Sequence, residues 1–155
     1  AARWNGRGEG RGARAVLIAR LWQGIDSGRL SAYPSRMRDY HALTVWKRAH
    51  EVVLSVFALT RRLPADERYE LSRQMRRAAV SVASNIAEAA GRASLRDGAR
   101  FLSIACGSAS ELEYQVELVG DLGFVERQRE TLVSINEVQK MLKSLIVSWS
   151  KNSPP

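Results

Sequence analysis

At 155 residues and 45% hydrophobic composition, the chain suits one domain with a packed core, burying roughly two-thirds of the surface it exposes when unfolded. Its single cysteine, Cys106, excludes an internal disulfide framework, and its two histidines, His41 and His50, cannot complete a structural zinc site with that thiol. No apolar run approaches the roughly 20 residues of a membrane span, so a cytoplasmic protein without a cofactor is expected, and the net charge of +8 turns attention to nucleic acid.

Most of that charge belongs to the first residues. Positions 1–36 hold seven arginines (Arg3, Arg7, Arg11, Arg14, Arg20, Arg29 and Arg36) against Glu9 and Asp26, a net of +5. Positions 37–155 carry 17 basic and 14 acidic side chains, a net of +3. The glycines at 6, 8, 10 and 12 make no dinucleotide fingerprint, because no strand precedes them. The run Ala15 to Ile18 is too short for a secretory signal. Residues 1–38 therefore read as an Arg/Gly-rich tail, expected to be disordered, with loose RNA binding as the other reading. Met37, the first methionine, stands just before the patterned region, which suggests translation starting there and a tail that is not native.

From Thr44 onward the period is helical. Thr44 is placed as an N-cap, followed by the stripe Val45, Ala49, Val52, Val56 and Leu59, widened by Trp46, Val53 and Phe57, until Pro64 stops the helix. Ala65, Asp66 and Glu67 can open the next turn. The second helix is predicted from Tyr69 to Ala90, with Met75, Ala79, Val82 and Ile86 inside and Gly91 as its stop. Ser94 and Asp97 form a near capping box for the third helix. Its stripe of Leu95, Leu102, Cys106, Ala109, Leu112, Val116 and Val119 runs to Gly123, with Cys106 as a small buried hydrophobe. The fourth helix is predicted from Glu126 to Trp149, with Leu132, Ile135, Val138, Leu142, Leu145 and Trp149 inside. No segment alternates, and the connections are short. The expected fold is all-α, an antiparallel up-down-up-down four-helix bundle over residues 39–151, with 152–155 disordered.

Beside the apolar stripe of the second helix runs a second line: Gln74, Ala78, Ser81, Asn85 and Glu88. With Ser108 and Glu111 on the third helix, these polar residues could suggest a serine nucleophile and a glutamate base. No histidine stands on helices two to four, and mid-helix amides are tied up in the helix ladder, so no catalytic residue is assigned. The expectation is a structural polar network of Gln74, Ser81, Asn85, Glu88, Ser108 and Glu111 that sets register between helices. Glu88 and Glu111 do not make a metal site, since the Glu-x-x-His pair of di-iron bundles is missing. His50, among charged neighbours, reads as a surface side chain. The small residues Ala78, Ala79, Ala83, Ala87, Ala89, Ala90 and Gly91 leave the second helix thin on several faces, which suggests self-association.

Several blocks carry a likeness to a known family. They are Leu43-Thr44-Val45-Trp46-Lys47, Arg76-Arg77-Ala78-Ala79-Val80-Ser81, Ser84-Asn85-Ile86-Ala87-Glu88, and Phe101-Leu102-Ser103-Ile104-Ala105 with Gly107-Ser108 and Glu111-Leu112. With them, residues 39–151 resemble the bacterial four-helix-bundle proteins encoded in intervening sequences of 23S ribosomal RNA genes. Ala83 stands where that family usually has proline and Ala89 where it has glycine, both favouring a straighter second helix. The resemblance implies a homo-oligomer, a pentamer. It extends to accessory variability-determinant proteins of diversity-generating retroelements, which bind nucleic acid and a reverse transcriptase through a basic surface.

Two functions follow as expectations. The first is a non-enzymatic module binding RNA or DNA through Arg73, Arg76, Arg77, Arg92, Arg96 and Arg100, since guanidinium forks suit phosphate. In the second, those arginines pair with Glu70, Asp97 or the polar line, and the chain is a structural scaffold whose partner is another protein.

Overall fold

The computed structural model describes residues 39–65 and 69–151. The expectations stated for residues 1–38, for Asp66 and Glu67, and for 152–155 lie outside the described residues. Within them a 3-10 turn, Tyr40–Ala42, leads into four helices: α1 (Thr44–Thr60), α2 (Glu70–Gly91), α3 (Leu95–Asp121) and α4 (Arg129–Lys151).

Side-chain contacts fix the direction of each pairing. Thr60 meets Ser72 and Arg76 across α1 and α2. Ser81 meets Ser108 across α2 and α3, while Arg92 reaches Asp97. Across α3 and α4, Ser110 meets Gln139 and Glu113 meets Asn136. Across α2 and α3, and across α3 and α4, one number rises as the other falls, so these pairs run antiparallel. The Thr60 contacts join the end of α1 to the beginning of α2, consistent with the same arrangement. α1 also packs on α4, closing the ring of four.

The stripes predicted from the period form the core. Val45, Ala49, Val52, Val56 and Leu59 of α1 are buried with Met75, Ala79, Val82 and Ile86 of α2. Leu102, Ala109, Leu112, Val116 and Val119 of α3 join Ile135, Val138, Leu142 and Trp149 of α4. Leu95, Cys106, Leu132 and Leu145 are only half-buried, at the margins of the core. At the end where α3 begins, Trp149 lies over Gly98: a Cβ there would meet its ring at 2.5 Å and the Ala89 carbonyl oxygen at 3.0 Å.

α4 runs two residues past the predicted Trp149, to Lys151, and four other ends differ from the sequence reading. Thr44 is the first residue of α1, not its cap. Leu43 holds the extended cap conformation with no side-chain cap, because its own side chain packs on the core and fixes the break there. α1 ends at Thr60, one turn before Pro64, as Leu63 folds back to full burial. Gly91 ends α2 without a left-handed conformation, and the stop comes from Arg92 turning extended. α4 starts at Arg129, three residues later than predicted. Phe124 and Val125 turn in against the core, and Gln128 Nε2 donates to the Glu126 carbonyl, so 126–128 stay out of the helix.

Two other ends follow the sequence. Ser94 Oγ accepts from the Asp97 amide at 3.0 Å. Gly123, at φ 73°, is left-handed, and the amides of Gly123 and Phe124 donate to the carbonyls of Gly120 and Val119. These are the paired bonds of a Schellman stop.

Candidate functional site

The polar line expected to tie helices together does so at one point. Ser81 Oγ and Ser108 Oγ lie 2.8 Å apart across α2 and α3, and Asn85 Nδ2 steadies Ser81 by donating to its carbonyl and hydroxyl. The remaining members bond within their own helices: Gln74 donates to Glu70, Arg92 to Glu88, and Gln115 to Glu111. Gln74, Ser81, Ser108 and Glu111 line an open groove of about 410 Å³ between α2 and α3, where Arg73 and Arg77 face Glu70 and Glu111. Both histidines lie outside α2 and α3. Ser81→Ala should cost about 1 kcal/mol, as is usual for one neutral bond. Urea melts of the single and double alanine variants should give a coupling energy of similar size with Ser108→Ala.

A denser cross-helix network lies where it was not predicted, between α3 and α4. Glu113 accepts from Asn136 Nδ2 and Gln139 Nε2, each at 2.8 Å, and Gln139 also reaches Ser110 Oγ at 3.4 Å. The signal was in the sequence: Gln139 occupies the stripe Ile135, Val138, Leu142, where an apolar residue was due. It is buried there, and its amide needs a partner.

The six arginines divide into committed and free. Arg76 Nε donates to the buried Thr60 Oγ1 at 2.8 Å, its guanidinium 5.1 Å from the Phe57 ring centroid. Arg92 holds Glu88, approaches Asp97 at 3.7 Å and stacks 4.2 Å over Phe101, clamping the α2–α3 turn. Arg73 makes an exposed pair with Glu70 at 3.6 Å. Arg77, Arg96 and Arg100 pair with no acid among the described residues. Nor do the six make one patch. Arg77 and Arg92 are fifteen residues apart on one helix, about 22 Å along its axis.

The charge gathers instead at the end where α1 begins, α2 ends, α3 begins and α4 ends. In residues 39–53, 82–104 and 142–151, seven basic side chains face four acidic ones. The other described residues hold eight of each. All four acids at the basic end are engaged: Asp39 with His41, Glu51 with Arg48, and Glu88 and Asp97 with Arg92. That leaves Lys47, Arg96, Arg100, Lys143 and Lys151 without an acid partner among the described residues. Sequence reasoning took Arg96 and Arg100 but not the lysines, which only the topology places at the same end.

At the same end, Asp39 accepts from the His41 amide and bonds its Nδ1, each at 2.9 Å. That bonding, helped by the charge of nearby Lys47, holds the Asp39 carboxyl below its ordinary pKa. A lowered carboxyl favours the fold above its unfolded pKa, and the contribution fades as pH falls through the folded value. The 3-10 turn before α1 is therefore expected to loosen only in acid.

No helix among the described residues is long and apolar enough to cross a membrane, and no three of their His, Cys, Asp or Glu side chains are placed to hold a metal ion. The family model of the 23S rRNA-intervening sequence protein matches residues 41–144. A crystal structure from the S23 ribosomal protein family, of a Bacteroides thetaiotaomicron protein with unknown function, superposes with a TM-score of 0.63 at 27% identity. The match covers 66% of this chain and 98% of that one. No curated protein matches.

Proposed function

The chain belongs to the 23S rRNA-intervening sequence protein family, and from that premise we propose a cytoplasmic, non-enzymatic protein that binds nucleic acid through the basic end of its bundle. The observation that carries this reading is the set of five cations, Lys47, Arg96, Arg100, Lys143 and Lys151, that have no acid partner among the described residues, at an end whose described acids are all paired. Five phosphate contacts on a single strand release counterions enough to lower affinity by about a hundredfold between 50 and 200 mM salt. Fluorescence anisotropy of a labelled oligonucleotide measures this. Affinity indifferent to salt overturns the reading.

Self-association belongs to the same proposal. Of the small residues of α2, Ala78, Ala79, Ala89 and Ala90 are buried within the subunit and do not argue for it, while Ala83 and Ala87 are half-buried and Gly91 is exposed. The support lies outside: Ile104 and Tyr114 are both exposed on α3, with exposed Val80 on neighbouring α2. Ile104→Lys is expected to reduce an oligomer, a pentamer by the resemblance, toward monomers in light scattering at micromolar concentration. A wild-type monomer there sets the assembly aside.

One observation favours the scaffold reading. Leu43, Val45, Met141 and Leu145 line an apolar groove of about 570 Å³ between α1 and α4, rimmed by Lys140, which suits an amphipathic helix of a protein partner such as a reverse transcriptase. That reading predicts a complex that survives nuclease treatment and no affinity for RNA or DNA.

A further inference from the structure

Both histidines of the chain belong to one ring cluster at the basic end, and phosphate binding gives that cluster no role. Tyr40 and His41 stack with centroids 4.0 Å apart and planes 27° from parallel. Trp46 and His50, one helical turn apart, stack at 5.2 Å and 10°. Trp46 joins the two stacks edge to face, 4.9 Å from Tyr40 and 5.1 Å from His41.

Core packing accounts for half of this arrangement. Trp46 is half-buried against the core, and the turn carrying Tyr40 rests on α1 and α2. It does not account for the histidines, which are exposed, the His41 side chain at 61%. In each stack the inner ring covers one face of its histidine, so the outer face is turned to solvent. The carboxylate beside them, Asp39, is tied to His41, and Lys47 is close enough for Asp39 to feel its charge.

We infer that this cluster is a stacking platform for the bases of single-stranded nucleic acid, with the outer faces of His41 and His50 taking bases while Lys47 and its neighbours hold phosphates. Rings accept any base, because every base has a π-face, and each stacked base strengthens binding severalfold or more. A duplex keeps its base faces covered, so the platform selects single strands. The inference rests on the nucleic-acid reading above and adds the substrate class to it.

The full chain is titrated with a dT oligonucleotide, an rU oligonucleotide, a duplex, and an abasic strand carrying the same number of phosphates. Because the chain has two histidines, its imidazole NMR signals report on the cluster alone. Base stacking should move both signals upfield with dT or rU and leave them in place with the abasic strand. The double variant His41→Ala/His50→Ala removes exposed rings and should keep its circular dichroism. It should bind dT about tenfold more weakly while holding the abasic strand as before. Equal affinities for dT and rU mean that the sugar is not read, and a difference assigns the preferred strand. Equal binding of dT, duplex and abasic strand, with unmoved imidazole signals, overturns the platform and leaves the phosphate reading standing. No binding of any strand overturns both.

Discussion

Gly98→Ala is expected to destabilise the protein by about 1–3 kcal/mol, and Gly107→Ala to stabilise it by about 0.5–1 kcal/mol. Both glycines sit inside α3, where alanine gains about 1 kcal/mol from helix propensity alone. What separates them is the space a methyl group would enter. At Gly98 it would meet the Trp149 ring at 2.5 Å and the Ala89 carbonyl oxygen at 3.0 Å. The ring is itself buried in the core, and the carbonyl belongs to the neighbouring helix, so relief requires α2, α3 and α4 to part together. Overpacking of this kind costs about 1–3 kcal/mol beyond anything propensity returns. At Gly107 a Cβ meets nothing within 4 Å, and the gain stands unopposed. Urea unfolding of the two variants measures both signs. A destabilised Gly107→Ala would mean that the outer face of α3 is covered by a second copy, so the pair also probes assembly.

The contrast shows what the sequence could carry. Period alone placed Val45 to Leu59, Met75 to Ile86 and Leu112 to Val119 in the core, because an amphipathic helix must bury its stripe. Ser94 was legible as a cap, since its hydroxyl acts within one turn. Thr44, equally suited by type, was not, because the break at Leu43 is set by where that side chain packs. Gly98 gave no sign of its role, which depends on Trp149, fifty-one positions away. The candidate site was legible to the same limit. Arg96 and Arg100 were found as residues, but Arg76 and Arg92 resemble them in sequence and are committed to Thr60, Phe57, Glu88 and Phe101. Which arginine is free is a fact of tertiary contact.

That distinction leads to the largest expected effect on binding. The triple variant Lys47→Gln/Arg96→Gln/Arg100→Gln should weaken single-strand affinity by about a hundredfold at 0.1 M salt and lower the slope of log affinity against log salt by about 2. Each contact contributes about 0.7 to that slope on a single strand. The three side chains are exposed, without an acid partner among the described residues, and outside the core, so their loss leaves the fold intact. The matched control is Arg61→Gln/Arg62→Gln/Arg77→Gln, which removes the same charge from the other end of the bundle. A protein that binds through net charge alone loses affinity equally in both variants. One that binds through the end where α1 and α3 begin loses it in the first and keeps it in the second. The seven arginines of residues 1–36 are unchanged in both, so the difference between the two slopes reports the bundle alone. Equal slopes would return the basicity to net charge and the bundle to the scaffold reading.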